Sequence, residues 1–208
     1  MQHSFLWISQ TMTKLQNAPA NTDSRGSVLL TIARAAISEA LGKSVNEVDE
    51  NLPWLHEKGA TFVTLTKNQA LRGCIGTLEA YRPLLVDIKA NAIAAAFRDP
   101  RFPPLKADEL DSVRVEVSLL SAMQPISFSS EQDALSQLQS GIDGVVFEFG
   151  TYRSTFLPQV WDELPDPVSF MAHLKHKAGL DSDFWDDEIK LYRYSVSKWK
   201  ENNLTKDE

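Results

Sequence analysis

Cysteine is nearly missing from this sequence, since Cys74 is the only one among 208 residues. A single cysteine cannot form a disulfide within the chain, and proteins without disulfides are typical of reducing compartments. We therefore expect a cytoplasmic protein. Basic residues are also outnumbered, with 21 lysines and arginines against 28 aspartates and glutamates and a formal net charge of −7. Because nucleic-acid affinity depends on neutralising phosphates with basic side chains, this balance argues against a nucleic-acid partner.

Long apolar runs are missing as well. The run nearest the N-terminus covers only residues 5–8, FLWI, which is too short for the core of a signal peptide. No later run approaches the roughly 20 apolar residues that cross a bilayer. Neither an internal repeat nor a low-complexity linker is present. We therefore expect a soluble protein without a membrane partner, folded as one compact unit, since the 43% hydrophobic content is enough for a full core.

The apolar periodicity predicts helices alternating with strands. Helices are predicted at 27–42, 83–97, 129–141 and 166–179. Strands are predicted at 60–66, 71–75, 113–119, 145–149, 154–157 and 189–196. Two short hairpins favour antiparallel pairing, because parallel neighbours need longer crossovers, and the predicted class is α+β. We expect an N-terminal arm over residues 1–24 and a tail over residues 200–208 that is too polar to pack.

The stretch whose residues are best suited to a chemical reaction is LRGCIG at residues 71–76. Cysteine can be a strong nucleophile near neutral pH, and a nearby cation such as Arg72 favours the reactive thiolate. Gly73 and Gly76 allow a sharp turn or a close approach, because neither carries a Cβ. The stretch is either a site at a strand end or bend, or a tight packing point, since free cysteine is among the most buried residue types.

Other constellations are weaker. An anion-binding phosphatase loop would need an arginine where Ala80 stands, so that alternative is rejected. His173 and His176 share one face of a predicted helix, but no third ligand is visible and histidines are ordinary near a helix C-terminus, so we predict no metal and no cofactor. Glu116 lies on the polar face of a predicted strand, where a cross-strand ion pair is the ordinary explanation unless that face lines a cleft.

Five short stretches together resemble the AMMECR domain family, named after the AMME syndrome chromosomal region. They are LRGCIG at 71–76, DPRFPP at 99–104, VEVS at 115–118, LPQV at 157–160 and KAGL at 177–180. The resemblance covers most of the expected domain, residues 25–199. It implies an α+β fold with a mainly antiparallel sheet, flanking helices and a smaller lobe, with a cleft between them.

The family's activity is not established, but the resemblance implies a context. Prokaryotic members that resemble this chain are labelled protein A of the AmmeMemoRadiSam system, beside a Memo-like protein and a radical SAM protein. That association implies a shared pathway modifying a small molecule or a protein. This chain is not the radical SAM component, because one cysteine cannot hold an iron–sulfur cluster that needs three or four.

The resemblance points to a set of site residues. The catalytic candidates are Cys74, Arg72 and Glu116, and the binding candidates are Gly73, Gly76, Asp99, Arg101, Phe102 and Gln159. The first hypothesis is an enzyme or enzyme subunit, a cysteine-dependent transferase or hydrolase, with the cleft around Cys74. The alternative is a non-catalytic module that binds a ligand, peptide or Memo-like partner. A third account assigns these stretches to the turns and buried ion pairs of the fold itself.

Overall fold

A computed structural model of the protein describes residues 22–45 and 47–202. Two four-stranded antiparallel sheets form two lobes. The first lobe contains α1 (Thr22–Ala40), β1 (Ala60–Lys67), β2 (Ala70–Gly76), α2 (Leu84–Phe97), β3 (Val113–Leu120) and β8 (Val196–Lys200), with strand order β2-β1-β3-β8. The second lobe contains β4 (Gln124–Ile126), α3 (Glu131–Ser136), β5 (Gly144–Phe149), β6 (Tyr152–Phe156), α4 (Pro167–Ala178) and β7 (Lys190–Tyr194), with strand order β4-β7-β5-β6. The α+β class is confirmed.

Several details differ from the sequence prediction. The helix α1 begins at Thr22, within the N-terminal arm expected over residues 1–24, whose remaining residues lie outside the described part of the chain. The helix predicted at 129–141 is only the six residues of α3. The predicted strand at 189–196 is two strands in different sheets, because the chain leaves β7 and enters β8 at Ser195. The short strand β4 was not predicted. The tail was expected not to pack from Lys200 onward, and this is wrong for its first two residues. Lys200 ends β8, and the carboxylate of Glu201 pairs with Arg34 of α1.

Alternation along the first sheet separates two kinds of residue. Val63 and Val117 are fully buried in the core under α1 and α2, and Ile75 packs against the same core. Their sequence neighbours must point the other way, since successive side chains of a strand face opposite sides. We call that opposite side the outer face of the first sheet. Cys74 and Glu116 lie on it.

The two lobes meet in a small apolar cluster. Ala60 and Leu120 from the first sheet contact Val146 and Tyr194 from the second, and all four are buried. Partly buried Phe62 packs against this cluster from the outer face. The contact joins the start of β1 and the end of β3 to the two central strands of the second sheet. Among the described helices, none is long and apolar enough to cross a membrane.

Gly73 allows a close approach between β2 and α2. A Cβ built on Gly73 would lie 2.1 Å from the carbonyl oxygen of Ala95. Of the two alternatives for this glycine, a turn or a close approach, the structure has the second. The helix backbone can therefore lie directly on the strand that carries Cys74.

Glu109 ties the edge of the same sheet to the segment before β3. Its carboxylate accepts hydrogen bonds from Arg72 Nη2 at 3.1 Å and from Lys67 Nζ at 2.9 Å. These two cations, Arg72 first, lower the pKa of Glu109 from 4.5 to about 2 against the opposing effect of burial. Arg72 is buried, so its charge depends on this carboxylate for compensation.

Gly73→Ala tests the close approach. The added methyl group meets a backbone oxygen that cannot rotate away, so we expect a loss of about 3 kcal/mol in the free energy of unfolding, measured by urea denaturation. Gly150→Ala is the control, because its Cβ meets open space and only its φ of +54° opposes the change, at a cost of about 1 kcal/mol. If Gly73→Ala lowers the free energy of unfolding by no more than Gly150→Ala does, the close packing of β2 against α2 is contradicted.

Glu109→Gln tests the ion pairs through their pH dependence. Because the folded-state pKa is lowered, the stabilisation is present above pH 4.5 and is lost as the pH falls toward 2. We expect a cost of about 2 kcal/mol at pH 7 that shrinks markedly at pH 3, both measured by urea denaturation. Glu47→Gln, at an exposed position, should change stability little at either pH. A cost independent of pH would refute this account.

Candidate functional site on the outer face of the first sheet

A row of four side chains crosses the outer face. Thr64 of β1 is the cross-strand partner of Cys74 on one side and of Glu116 on the other, and Glu116 is in turn paired with Lys200. The Thr64 hydroxyl lies 3.2 Å from Cys74 Sγ and donates to it. Cys74 is neither fully buried nor fully exposed. The thiol therefore lies on a polar sheet surface rather than in the core.

The backbone of Cys74 is held by the proline-rich loop. Cys74 lies on β2, an edge strand, and its N–H donates to Asp99 Oδ2 at 2.8 Å. Its carbonyl oxygen accepts a hydrogen bond from Arg101 Nη2 at 3.2 Å. Asp99 and Arg101 thus satisfy the groups that a further strand would otherwise bind. The structure brings these three predicted site residues together.

Asp99 and Arg101 also form a two-point ion pair. Arg101 Nε lies 2.9 Å from Asp99 Oδ1, and Nη2 lies 2.7 Å from Oδ2. The hydrogen bonds from Arg101, with those from the backbone N–H of Cys74 and Arg101, hold the pKa of Asp99 well below its usual range despite burial. The Arg101 side chain is 54% exposed. One end of this pair is therefore structural and buried, while the other faces solvent beside Cys74.

Phe102 and Gly76 support this edge. The Phe102 ring lies 5.5 Å from the Arg101 guanidinium carbon, which is within cation–π range. Gly76 lies under the Phe62 ring, where a Cβ would be 2.2 Å from the nearest ring carbon. Gly76 therefore lets the apolar ring that borders the lobe interface lie flat against β2.

Arg72 is not brought to Cys74. The register between β1 and β2 shifts between Leu65 and Thr66, leaving Arg72 as the extra residue of a β-bulge. Its guanidinium pairs with Glu109 together with Lys67, which shares the helix-covered side of β1 with buried Leu65. The bulge thus separates a cation and a thiol that are two positions apart in sequence.

Gln159 lies at the opposite edge of the sheet from Cys74. It belongs to the 3-10 helix Pro158–Asp162, and its Oε1 is 3.5 Å from Lys198 Nζ of β8. His173 Nδ1 contacts the Ser169 carbonyl at 2.8 Å on its own helix. Across residues 22–45 and 47–202, no cluster of three or more potential metal ligands occurs.

Besides Glu109, two polar features were missed by sequence reasoning. The first is Thr64. The only sign of it in the sequence is that Thr64 and Thr66 alternate with apolar residues along β1, which places them on the polar face of the strand. The other is a buried carboxylate on α2, since Asp87 accepts hydrogen bonds from Thr61 N at 2.8 Å, Thr61 Oγ1 at 2.7 Å and Arg82 Nε at 2.9 Å. Because Asp87 fits an ordinary helical pattern, nothing in the sequence marked it. It anchors α2 to β1 behind the outer face.

Comparison with known proteins places this fold among relatives. The AMMECR1 family model matches residues 30–199. A protein of Methanothermobacter thermautotrophicus is 40% identical over 192 residues, covering 90% of this chain and 100% of that protein. Protein MJ0810 of Methanocaldococcus jannaschii is 40% identical over 182 residues, covering 85% of this chain and 90% of its own length.

A solved structure agrees. The crystal structure of the uncharacterized protein PH0010 from Pyrococcus horikoshii is 38% identical, with a TM-score of 0.69, and the match covers 85% of this chain and 91% of that one. The family model spans most of the chain, and the Methanothermobacter relative matches it over its own full length. The resemblance predicted from the five motifs is confirmed, and the chain belongs to the AMMECR1 family.

Proposed function

We propose that the chain is an enzyme or enzyme subunit in which Cys74 is the nucleophile or the acceptor of a transferred group. The observation that carries this proposal is the thiol on the outer face, which accepts a hydrogen bond from the Thr64 hydroxyl. A hydroxyl that donates to sulfur stabilises the thiolate more than the thiol. The guanidinium of Arg101 beside it is paired with Asp99 through Nε and Nη2, but it is half-exposed, and its Nη1 is directed to neither carboxylate oxygen and suits an anionic substrate group.

The chemistry follows from these groups. The thiolate attacks an acyl or alkyl carbon, a sulfur–carbon bond forms, and the bond to the leaving group breaks with its electron pair, which takes a proton from solvent. The N–H of Cys74 donates to Asp99 and does not serve a developing oxyanion. The register points the N–H of Gly76 away from β1, so this amide is the backbone donor available nearby. Glu116, beyond Thr64, contacts the substrate from the neighbouring strand.

We place this activity in a pathway with a Memo-like protein and a radical SAM protein that modifies a small molecule or a protein. Family membership supports this context. In that pathway, this chain would contribute the Cys74 thiol and the Arg101 guanidinium. Among the described residues there is no cluster of three potential metal ligands.

A second function is favoured by a specific observation. Asp99 and Arg101 both hydrogen-bond to the backbone of Cys74 and form a rigid, partly exposed charged surface beside it, which suits the binding of a ligand or partner without any reaction of the thiol. The alternative is therefore a non-catalytic module whose outer face binds a ligand or a partner protein.

The reactivity of Cys74 is tested by alkylation with iodoacetamide at pH 7. If Thr64 stabilises the thiolate, native protein reacts faster than protein unfolded in urea, and Thr64→Val slows native labelling by roughly threefold to tenfold. Thr66→Val is the matched control on the same strand and face, and it should leave the rate unchanged. Native labelling slower than that of the unfolded chain would exclude a reactive Cys74.

The alternative is tested by binding to a purified Memo-like protein, measured by calorimetry. A surface that only binds predicts that Cys74→Ser keeps the affinity, while Arg101→Glu weakens it about tenfold by charge reversal. Lys106→Glu makes the same charge change at an exposed position of the following segment and should have little effect. Unchanged affinity for Arg101→Glu counts against this function.

A further inference from the structure

The outward edge of β8 has unpaired backbone groups. Ser121 N–H donates to the Ser195 carbonyl at 2.9 Å, and Glu201 N–H donates to the Val115 carbonyl at 3.0 Å. Between these two bonded positions the antiparallel register alternates, so the N–H and C=O groups of Val196, Lys198 and Lys200 point away from β3. No residue in the described part of the chain hydrogen-bonds to them.

Other sheet edges are treated differently. Asp99 and Arg101 satisfy the backbone of Cys74 on the edge strand β2. On the edge strand β6, Lys177 Nζ donates to the Thr155 carbonyl at 2.9 Å. The edge strand β4 has only three residues and includes Pro125. Natural proteins protect edges in such ways and also with exposed lysines, which discourage pairing with a like-charged copy. β8 has the lysines, but its outward N–H and C=O groups on alternate residues stay unsatisfied by the described residues along a five-residue strand.

A groove runs beside this open edge. It has a volume of about 460 Å³ and lies between β8 and the second lobe. Val196 and Lys198 line one side, and Ile142, Pro158, Gln159 and Asp162 line the other. Ile142 is 55% exposed. A strand lying along β8 would therefore find an apolar contact for one of its side chains.

The positive charge of β8 favours an acidic binding partner. Lys198 and Lys200 are exposed and share the outer face, in a chain with a net charge of −7. Lys200 faces Glu116 across the strands, whereas Lys198 faces the uncharged Ser118. An acidic side chain on an added strand complements both lysines. Pairing with β8 of a second copy would instead bring lysines together on one face.

We propose that the outer edge of β8 binds an extended acidic segment of a partner protein by antiparallel strand addition. The backbone groups of Val196, Lys198 and Lys200 bond to the segment, and its acidic side chains at alternate positions face the two lysines. An apolar residue of the segment, opposite Val196 and on the same face as the acidic side chains, contacts Ile142. This surface is at the opposite edge of the sheet from Cys74, ~14 Å away at three strand spacings, and its function does not depend on the reactivity of the thiol.

The probe is a synthetic eight-residue peptide with aspartate at positions 2 and 4, valine at position 6 and threonine elsewhere, so that all three lie on one face of the strand. It is titrated into the full-length protein and followed by amide NMR. We expect the amide signals of Val196, Lys198 and Lys200 to shift together and saturate. The double variant Lys198→Glu/Lys200→Glu should raise Kd by about tenfold or more. The control Lys106→Glu/Lys190→Glu makes the same charge change at other exposed positions and should leave Kd unchanged.

Backbone pairing is tested independently of charge. A peptide N-methylated on the alternate residues whose N–H groups face β8 should lose binding, while methylation of the other set should preserve it. Absence of binding at millimolar peptide, equal binding of a peptide with lysine in place of the two aspartates, or insensitivity to the double charge reversal would overturn the proposal. Two results of amide hydrogen exchange in the absence of peptide would also overturn it. Protection of the three amides that grows with protein concentration would identify a second copy as the occupant, and protection that disappears when residues 1–20 are deleted would identify the chain's own N-terminus.

Discussion

The buried carboxylate of Asp99 is the point on which the candidate site depends. Its charge is removed from water, which costs free energy, and three donors compensate for that cost: the N–H of Cys74, the N–H of Arg101 and the Arg101 guanidinium. The compensation fixes the proline-rich loop against the edge of the first sheet. It also fixes the backbone of Cys74. The register of β2 then directs the side chain to the outer face, where the Thr64 hydroxyl is the group that holds the sulfur.

The same arrangement explains how one sheet can have two different surfaces. The helix-covered side is dry and apolar, with Val63 and Val117 fully buried. The outer face carries the polar row from Cys74 to Lys200. A single extra residue at the bulge moves Arg72 to the first surface and leaves Cys74 on the second. The two-residue spacing of Arg72 and Cys74 would place both side chains on one face of a regular strand. It does not do so here, because the bulge interrupts the regular register.

Most elements of the fold could be predicted from the sequence, since helices and strands of five or more residues leave a clear period. The exceptions have physical reasons. The break at Ser195 carries neither glycine nor proline, and β4 is too short to show alternation. The approach of Asp99 and Arg101 to Cys74 was implied by family motifs. The roles of Thr64, Glu109 and Asp87 depend on cross-strand and helix–strand contacts, which a single sequence does not reveal.

The crossing at Ser195 also determines the order in which the protein is completed during synthesis. β1, β2 and β3 lie within residues 60–120, but the fourth strand of their sheet is residues 196–200. The first lobe therefore leaves the ribosome without its last strand, and the edge of β3 stays unpaired until the whole second lobe has been made. Domains generally fold from the N-terminus as they emerge, and unpaired edges promote aggregation in that interval. Premature termination anywhere in the second lobe would release a chain whose first sheet cannot be finished.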